Sequence, residues 1–112
     1  MTLFEKIAAR QIPSQMVHET EDVIAFRDLH PQAPTHVLVV PKKVIARIAE
    51  AKEEDALLLG KLLLAAAATA RKLGLEKTGY RLAINNGPDA GEAVPHLHIH
   101  VLGGRAMSWP PG

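Results

Sequence analysis

The chain of 112 residues has no cysteine, and its aromatics number one Trp, one Tyr and two Phe. Without thiols it can have neither a disulfide framework nor a thiolate metal site, so any metal centre would need His and carboxylate ligands. Neither sign of charge prevails: 13 Lys and Arg against 12 Asp and Glu leave a formal charge of +1. The cations are scattered, with only the short pairs Lys42-Lys43 and Arg71-Lys72, so no broad field draws in nucleic acid or anionic lipid. No apolar run suits a membrane. The stretch Ala56 to Ala70 is too short to span a bilayer and contains Lys61. The opening residues, Met1 to Lys6, lack a basic region followed by an apolar one, so no secretory signal is expected. No repeat, linker or low-complexity segment divides the chain. One domain over residues 1–112, with a tail over 103–112 and a cytoplasmic location, is the expectation.

What the chain does have is histidine, half of it in one place. Three of its six histidines fall in His96-Leu97-His98-Ile99-His100-Val101-Leu102. Strict alternation of polar and apolar residues is the period of a half-buried strand, so the three imidazoles are expected on one face and Leu97, Ile99 and Val101 in the core. A solvent-facing strand needing only polarity would use Thr, Lys or Glu. Imidazole titrates near neutral pH, and its neutral ring is both a nucleophile and a metal ligand. Neighbours on one strand face lie roughly 6.6 Å apart and the outer pair roughly 13 Å. Zinc sits about 2.0–2.1 Å from a histidine nitrogen, so one ion cannot take all three without distorting the strand. Two of them with His36 or a carboxylate still could. The reading favoured by the spacing is one working imidazole, held by its neighbours, attacking phosphorus.

The rest of the chain reads as a mixed fold. Thr2-Leu3-Phe4-Glu5 has the spacing of a capping box and predicts a short helix over 3–9, ended by Ile12-Pro13. Segments 15–19 and 23–27 read as a hairpin joined at Glu21-Asp22. Two prolines stiffen the loop from Asp28 to Pro34, and Thr35 to Val40 is a β-branched strand stopped by Pro41. Val44 to Ala49 can make a short helical turn. A long helix is expected from near Glu53, with acidic residues at its start, to Arg71-Lys72-Leu73-Gly74. Its leucines, Leu57 to Leu59 and Leu62 to Leu64, cover more than one face, which predicts a homodimer. A strand over 79–85 follows. A glycine- and proline-punctuated loop, Asn86 to Pro95, then leads into the histidines; its backbone N–H groups could form an anion nest.

The alternating histidines resemble the motif of the histidine triad superfamily. Phe4, Ile12-Pro13, the run Pro31 to His36, Pro41-Lys42-Lys43, Asn85 and the ending Trp109-Pro110-Pro111-Gly112 resemble its nucleotide-binding Hint branch in particular. They argue against the fragile histidine triad hydrolases and the sugar-phosphate uridylyltransferases. The resemblance implies an α+β fold with about five antiparallel strands, one long and one short helix, and a homodimer formed through the long helix and a strand. It implies hydrolysis of purine nucleoside phosphoramidates, such as AMP joined to an amine or lysine, through a nucleotidyl-histidine intermediate. No metal and no cofactor are required. Other readings are a dinucleoside polyphosphate hydrolase, a zinc-binding regulatory module, and a nucleotide-binding adaptor without catalysis.

The resemblance also assigns roles. His98 matches the nucleophile; His96 and His100 would flank the phosphate, and His36 would support them from the adjacent strand. Asp28 matches a ribose-binding acid. Leu3, Phe4, Ile7, Ile12, Phe26, Leu29 and Leu38 correspond to apolar walls around the purine. Asn85 and Gly91 match contacts to the phosphate region, and Trp109 a tail residue that reaches the partner's site. Two positions depart from the family's usual Gln followed by Ser or Thr: here they are Glu92 and Ala93. The missing hydroxyl removes a hydrogen bond worth about 0.5–1.5 kcal/mol. A carboxylate at 92 would repel phosphate unless protonated or turned away. A working phosphoramidase, weakened or altered in selectivity, is therefore expected.

Overall fold

A computed structural model describes all 112 residues and shows an α+β architecture. Five strands form one antiparallel sheet: β1 (Met16–Glu19), β2 (Val23–Arg27), β3 (Thr35–Pro41), β4 (Tyr80–Ala83) and β5 (Ile99–Gly103). Their order is β1-β2-β3-β5-β4, which puts β3 at the centre and pairs it with β5 from Thr35↔Gly103 to Val39↔Ile99. Strand alternation gives the sheet two apolar faces. Val23, Ala25, Val37, Val39, Ile99 and Val101 pack under the long helix α2 (Ala56–Lys72). Ile24, Phe26, Leu38 and Val40 pack under the short helix α1 (Leu3–Ala8) through Phe4 and Ile7.

The short helix forms for the local reason expected, whereas α2 starts at Ala56 with no acidic residue in its first turn, the cluster Glu53–Asp55 lying in a 3-10 turn before it. Thr2 Oγ1 accepts from the Glu5 N–H at 3.0 Å, while Glu5 Oε1 accepts from the Thr2 N–H at 2.8 Å. This reciprocal cap satisfies donors that six helical residues could not satisfy themselves. In α2 the buried residues Leu62, Ala65, Ala66, Thr69 and Ala70 recur at helical spacing, and their small side chains let the helix lie close on the sheet. The Thr69 hydroxyl donates to the Ala65 carbonyl at 2.8 Å, so its burial leaves no polar group unpaired. Leu57, Leu63 and Leu64 stay exposed, as does Leu82 on β4 at the sheet edge. Where β5 ends, Gly103 passes beneath Leu75 so closely that a Cβ there would come within 2.8 Å of a Leu75 methyl carbon.

Some boundaries differ from expectation. The histidine strand begins at Ile99 rather than His96. Upstream, the His96 N–H turns back to the Val94 carbonyl at 2.8 Å and the Leu97 N–H bonds Ile45 O at 2.6 Å, which takes these residues out of the ladder. The turn predicted over 44–49 is a single 3-10 turn at Ile48–Glu50. Another at Glu53–Asp55 precedes α2, and β4 is shorter at both ends than the predicted 79–85. Gly103 lies within β5 rather than in the tail.

Candidate active site

The three alternating histidines do not stand in a solvent-facing row. Their side-chain alternation survives the loss of strand pairing, since Leu97, Ile99 and Val101 all lie in the core under α2. The opposite face is covered by α1. His96 is 1 % exposed and His98 8 %, and the Phe4 ring meets the His98 ring edge to face at 5.0 Å. The sequence pattern identified the face correctly but could not show that a helix covers it.

Beside the covered histidines lies a cavity of about 360 Å³. Of the predicted residues, Leu3, Phe4, Ile7, Ile12, Phe26, Leu38, Leu29, Asp28, Ala93, His98 and His100 line it. Pro13, Ser14, Arg27, His30 and Val94 line it too, and sequence reasoning missed them. For Pro13, Arg27, His30 and Val94 the only available signal was adjacency to a residue already singled out, and Ser14 had none.

The hydrogen bonds around the rings assign every tautomer for neutral histidines. The Gln32 N–H donates to His36 Nδ1 at 3.0 Å, so the His36 proton sits on Nε2. That nitrogen lies 2.8 Å from His100 Nδ1 and donates to it, leaving the His100 proton on Nε2. His98 Nδ1 lies 2.8 Å from the His96 carbonyl and must donate to it, so Nε2 across the ring holds a lone pair with no protein partner. His96 Nε2 donates to the Pro41 carbonyl at 2.7 Å, and its Nδ1 accepts from the Thr2 hydroxyl at 2.7 Å. Of the cavity-lining imidazoles, His98 and His100 are thus complementary. One offers a lone pair and the other an N–H.

Burial favours the neutral form of His36, His96 and His100. Burial pulls His96 and His36 below the ordinary imidazole range, against the opposing pull of the Pro41 carbonyl at His96 and of Asp28 at His36. Burial acts most strongly on His100, and with His98 and His36 beside it the ring falls to about 4. Asp28 binds at both ends: Oδ1 accepts from the His30 N–H at 2.8 Å, and Oδ2 lies 3.5 Å from His36 Nε2.

Several predicted positions fall outside the cavity. His96 has both ring nitrogens occupied, so it cannot flank a phosphate; its carbonyl orients His98 instead. His36 acts through His100. Asn85 Nδ2 donates to Ala90 O at 2.7 Å and holds the loop rather than reaching a ligand. Gly91, in the left-handed region at φ 76°, ends the 3-10 turn at Pro88–Ala90 in that loop. Glu92 is turned away from the cavity onto Arg47, which forks its carboxylate at 2.9 and 3.0 Å. That guanidinium and the Gly87 N–H hold the Glu92 carboxyl below its usual range. Trp109 is 80 % exposed and rests on its own chain, with the Arg81 guanidinium 5.7 Å from its ring centre.

One group could in principle hold a cation: ligand atoms of Asp28, His36 and His100 lie within 4.8 Å of one another. An ion there would have to displace the His36–His100 hydrogen bond, because that bond uses the facing nitrogens of both rings.

A five-stranded antiparallel sheet with a helix on each face, carrying hydrogen-bonded histidines beside a largely apolar cavity, defines a small α+β domain. The HIT domain family matches residues 9–107, and the chain belongs to that family. It is 50 % identical over 113 residues to the 14 kDa zinc-binding protein of Zea mays, covering 99 % of this chain and 88 % of the relative. A HIT family hydrolase from Legionella pneumophila superposes with a TM-score of 0.96 at 47 % identity, covering both chains completely. The histidine triad nucleotide-binding protein of Candida albicans superposes with a TM-score of 0.83 at 29 % identity, over 98 % of this chain and 83 % of the other.

Proposed function

We propose that the chain is a hydrolase of purine nucleoside phosphoramidates that works through a nucleotidyl-histidine intermediate. The observation that carries this reading is the free lone pair of His98 Nε2, set by the bond from its Nδ1–H to the His96 carbonyl. In the first step that lone pair forms a bond to phosphorus and the P–N bond to the leaving amine breaks, the amine taking a proton from solvent. In the second, water attacks phosphorus, the P–His98 bond breaks and the proton of water returns to solvent. Net hydrolysis restores neutral His98. His100 Nε2–H donates to a phosphoryl oxygen, and its charge neutrality matters because a second imidazolium beside the attacked phosphorus would face the one forming on His98. The purine packs in the apolar end among Phe4, Ile7 and Phe26, and Asp28 accepts from ribose hydroxyls.

Support from relatives is of two kinds. The Legionella pneumophila structure is described as a hydrolase and the Candida albicans one as nucleotide-binding. Incubation with AMP-phosphoramidate, with mass spectrometry for an adenylylated protein, tests the proposal. Turnover and adduct should both vanish in His98→Ala, and equal rates in the two proteins refute it. The cluster of Asp28, His36 and His100, with the zinc-binding Zea mays relative, favours a second reading as a metal-binding module. Stoichiometric zinc after purification and chelator-sensitive activity would establish that one instead.

The exposed Leu57 and Leu64 on α2, with the open edge of β4, fit a homodimer with a second copy of the chain. Sedimentation should give twice the chain mass, and Leu64→Glu should reduce it to the monomer. A monomeric wild type rejects the dimer.

A further inference from the structure

The loop feeding the histidines is held partly by its own bonds, such as that from Asn85 Nδ2 to Ala90 O, and partly from outside. It is tied to the segment after β3 by bonds between residues about 40 positions apart. Glu92 Oε1 accepts from Arg47 Nε at 2.9 Å and from the Gly87 N–H at 3.1 Å, while Oε2 accepts from Arg47 Nη2 at 3.0 Å. A second tie joins the same segments, where the Ala49 N–H donates to Asn86 Oδ1 at 2.8 Å. Arg47 also pairs with Glu50. The Glu92 side chain is 14 % exposed and lies against Arg47. Yet the next residue, Ala93, lines the cavity beside His98. A carboxylate freed from Arg47 would stand one residue from that wall, where its charge would oppose an anion bound beside His98.

We propose that Arg47 is a positioning residue that makes the histidine end of this cavity accept an anionic phosphoryl group, by neutralising Glu92 and keeping its carboxylate turned outward. The proposal rests on the nucleotide reading above and adds to it a residue that touches no ligand. The bidentate fork is the reason the role falls to arginine. A guanidinium engages both carboxylate oxygens in one plane and so fixes the direction of the side chain as well as its charge, which a lysine ammonium does not. With Arg47 removed, Glu92 keeps only the Gly87 N–H bond on Oε1, its charge is no longer neutralised, and Oε2 is released to turn toward the phosphate. With both charges removed, the electrostatic obstacle disappears although the tie is lost.

The experiment is a comparison of two ligands that differ in charge. AMP and adenosine are titrated calorimetrically into the wild type, Arg47→Ala and the double variant Arg47→Ala/Glu92→Gln, with circular dichroism confirming that each is folded. The expected result is that Arg47→Ala weakens AMP about tenfold, the size a single poorly screened charge produces at this range, and leaves adenosine unchanged. The double variant should recover most of the loss. A merely structural role would weaken both ligands together, and that result overturns the proposal. So does a double variant no better than the single one, or an Arg47→Ala protein that binds AMP as the wild type does. If the wild type binds neither ligand, the nucleotide reading falls and this one falls with it. If the wild type binds both and only the variant pattern fails, the nucleotide reading stands alone.

Discussion

His36 Nε2 sits 2.8 Å from His100 Nδ1, and the Gln32 backbone N–H on the far side of the His36 ring decides which of the two donates. A main-chain amide therefore sets, through two rings, the proton that His100 presents to the cavity. The same logic operates at His98 from the His96 carbonyl. Neutral imidazoles can exchange tautomers, and here the backbone removes that freedom at His98 and His100.

Replacing His36 breaks the relay without touching ligand. In His36→Ala, His100 loses its Nδ1 donor and its ring becomes free to carry the proton on either nitrogen. A hydrogen bond of this kind is worth about 0.5–1.5 kcal/mol net, so kcat on AMP-phosphoramidate should fall roughly 2- to 10-fold with KM little changed. Steady-state kinetics decide the matter. A pure KM effect would mean that His36 contacts substrate.

The buried histidines make acid destabilising. His36, His96 and His100 titrate below their unfolded value, His100 at about 4, so between there and the ordinary imidazole range the unfolded chain binds more protons than the folded one. Unfolding free energy then rises with pH across that window and falls as pH drops through it. The ion pair of Glu92 adds to the same trend, since its lowered carboxyl pKa contributes stability that is lost as pH falls toward the folded value. Urea melts between pH 4 and 7 should show a midpoint that climbs steadily with pH. A flat profile would contradict the neutral-histidine assignment.

Thr2 joins helix stability to the site, for its hydroxyl both caps α1 and donates to His96 Nδ1. Loss of a cap costs about 0.5–2 kcal/mol. Thr2→Ala should therefore lower Tm and kcat together. Thr2→Asp should restore the cap but not the donor, because an ionised carboxylate only accepts. Recovery of Tm without recovery of kcat is the expected signature, measured by calorimetry and turnover on the same samples.

Ala93 lines the cavity without a polar group. Ala93→Ser supplies a hydroxyl at that wall, and one new hydrogen bond to the phosphoryl group should raise kcat/KM on AMP-lysine by roughly 2- to 10-fold. Unchanged turnover would show that the hydroxyl reaches nothing that reacts.

Much of the architecture could be read directly from the chain. The capping box at Thr2 and Glu5, the β-branched run into Pro41 and the glycine after Lys72 are local signals, and the elements they predict form almost where expected. The apolar walls of the cavity were legible as well, through resemblance rather than through periodicity, since Phe4 and Phe26 would look the same in an ordinary core. Glu92 was not legible. Its carboxylate turns onto Arg47, a residue that carries no local signal and lies 45 positions earlier.

The amino-acid order alone was enough to choose the strands, the helices and the face on which the histidines stand, because alternation and capping act between near neighbours. The family came through the resemblance of its motifs. Only the folded molecule assigns the work among those histidines. His96 meets Thr2 and Pro41 across 94 and 55 positions, and His100 meets His36 across 64. Hydrogen bonds that long in sequence have no local pattern to announce them, and they decide which ring nitrogen is left with an unshared pair facing the cavity.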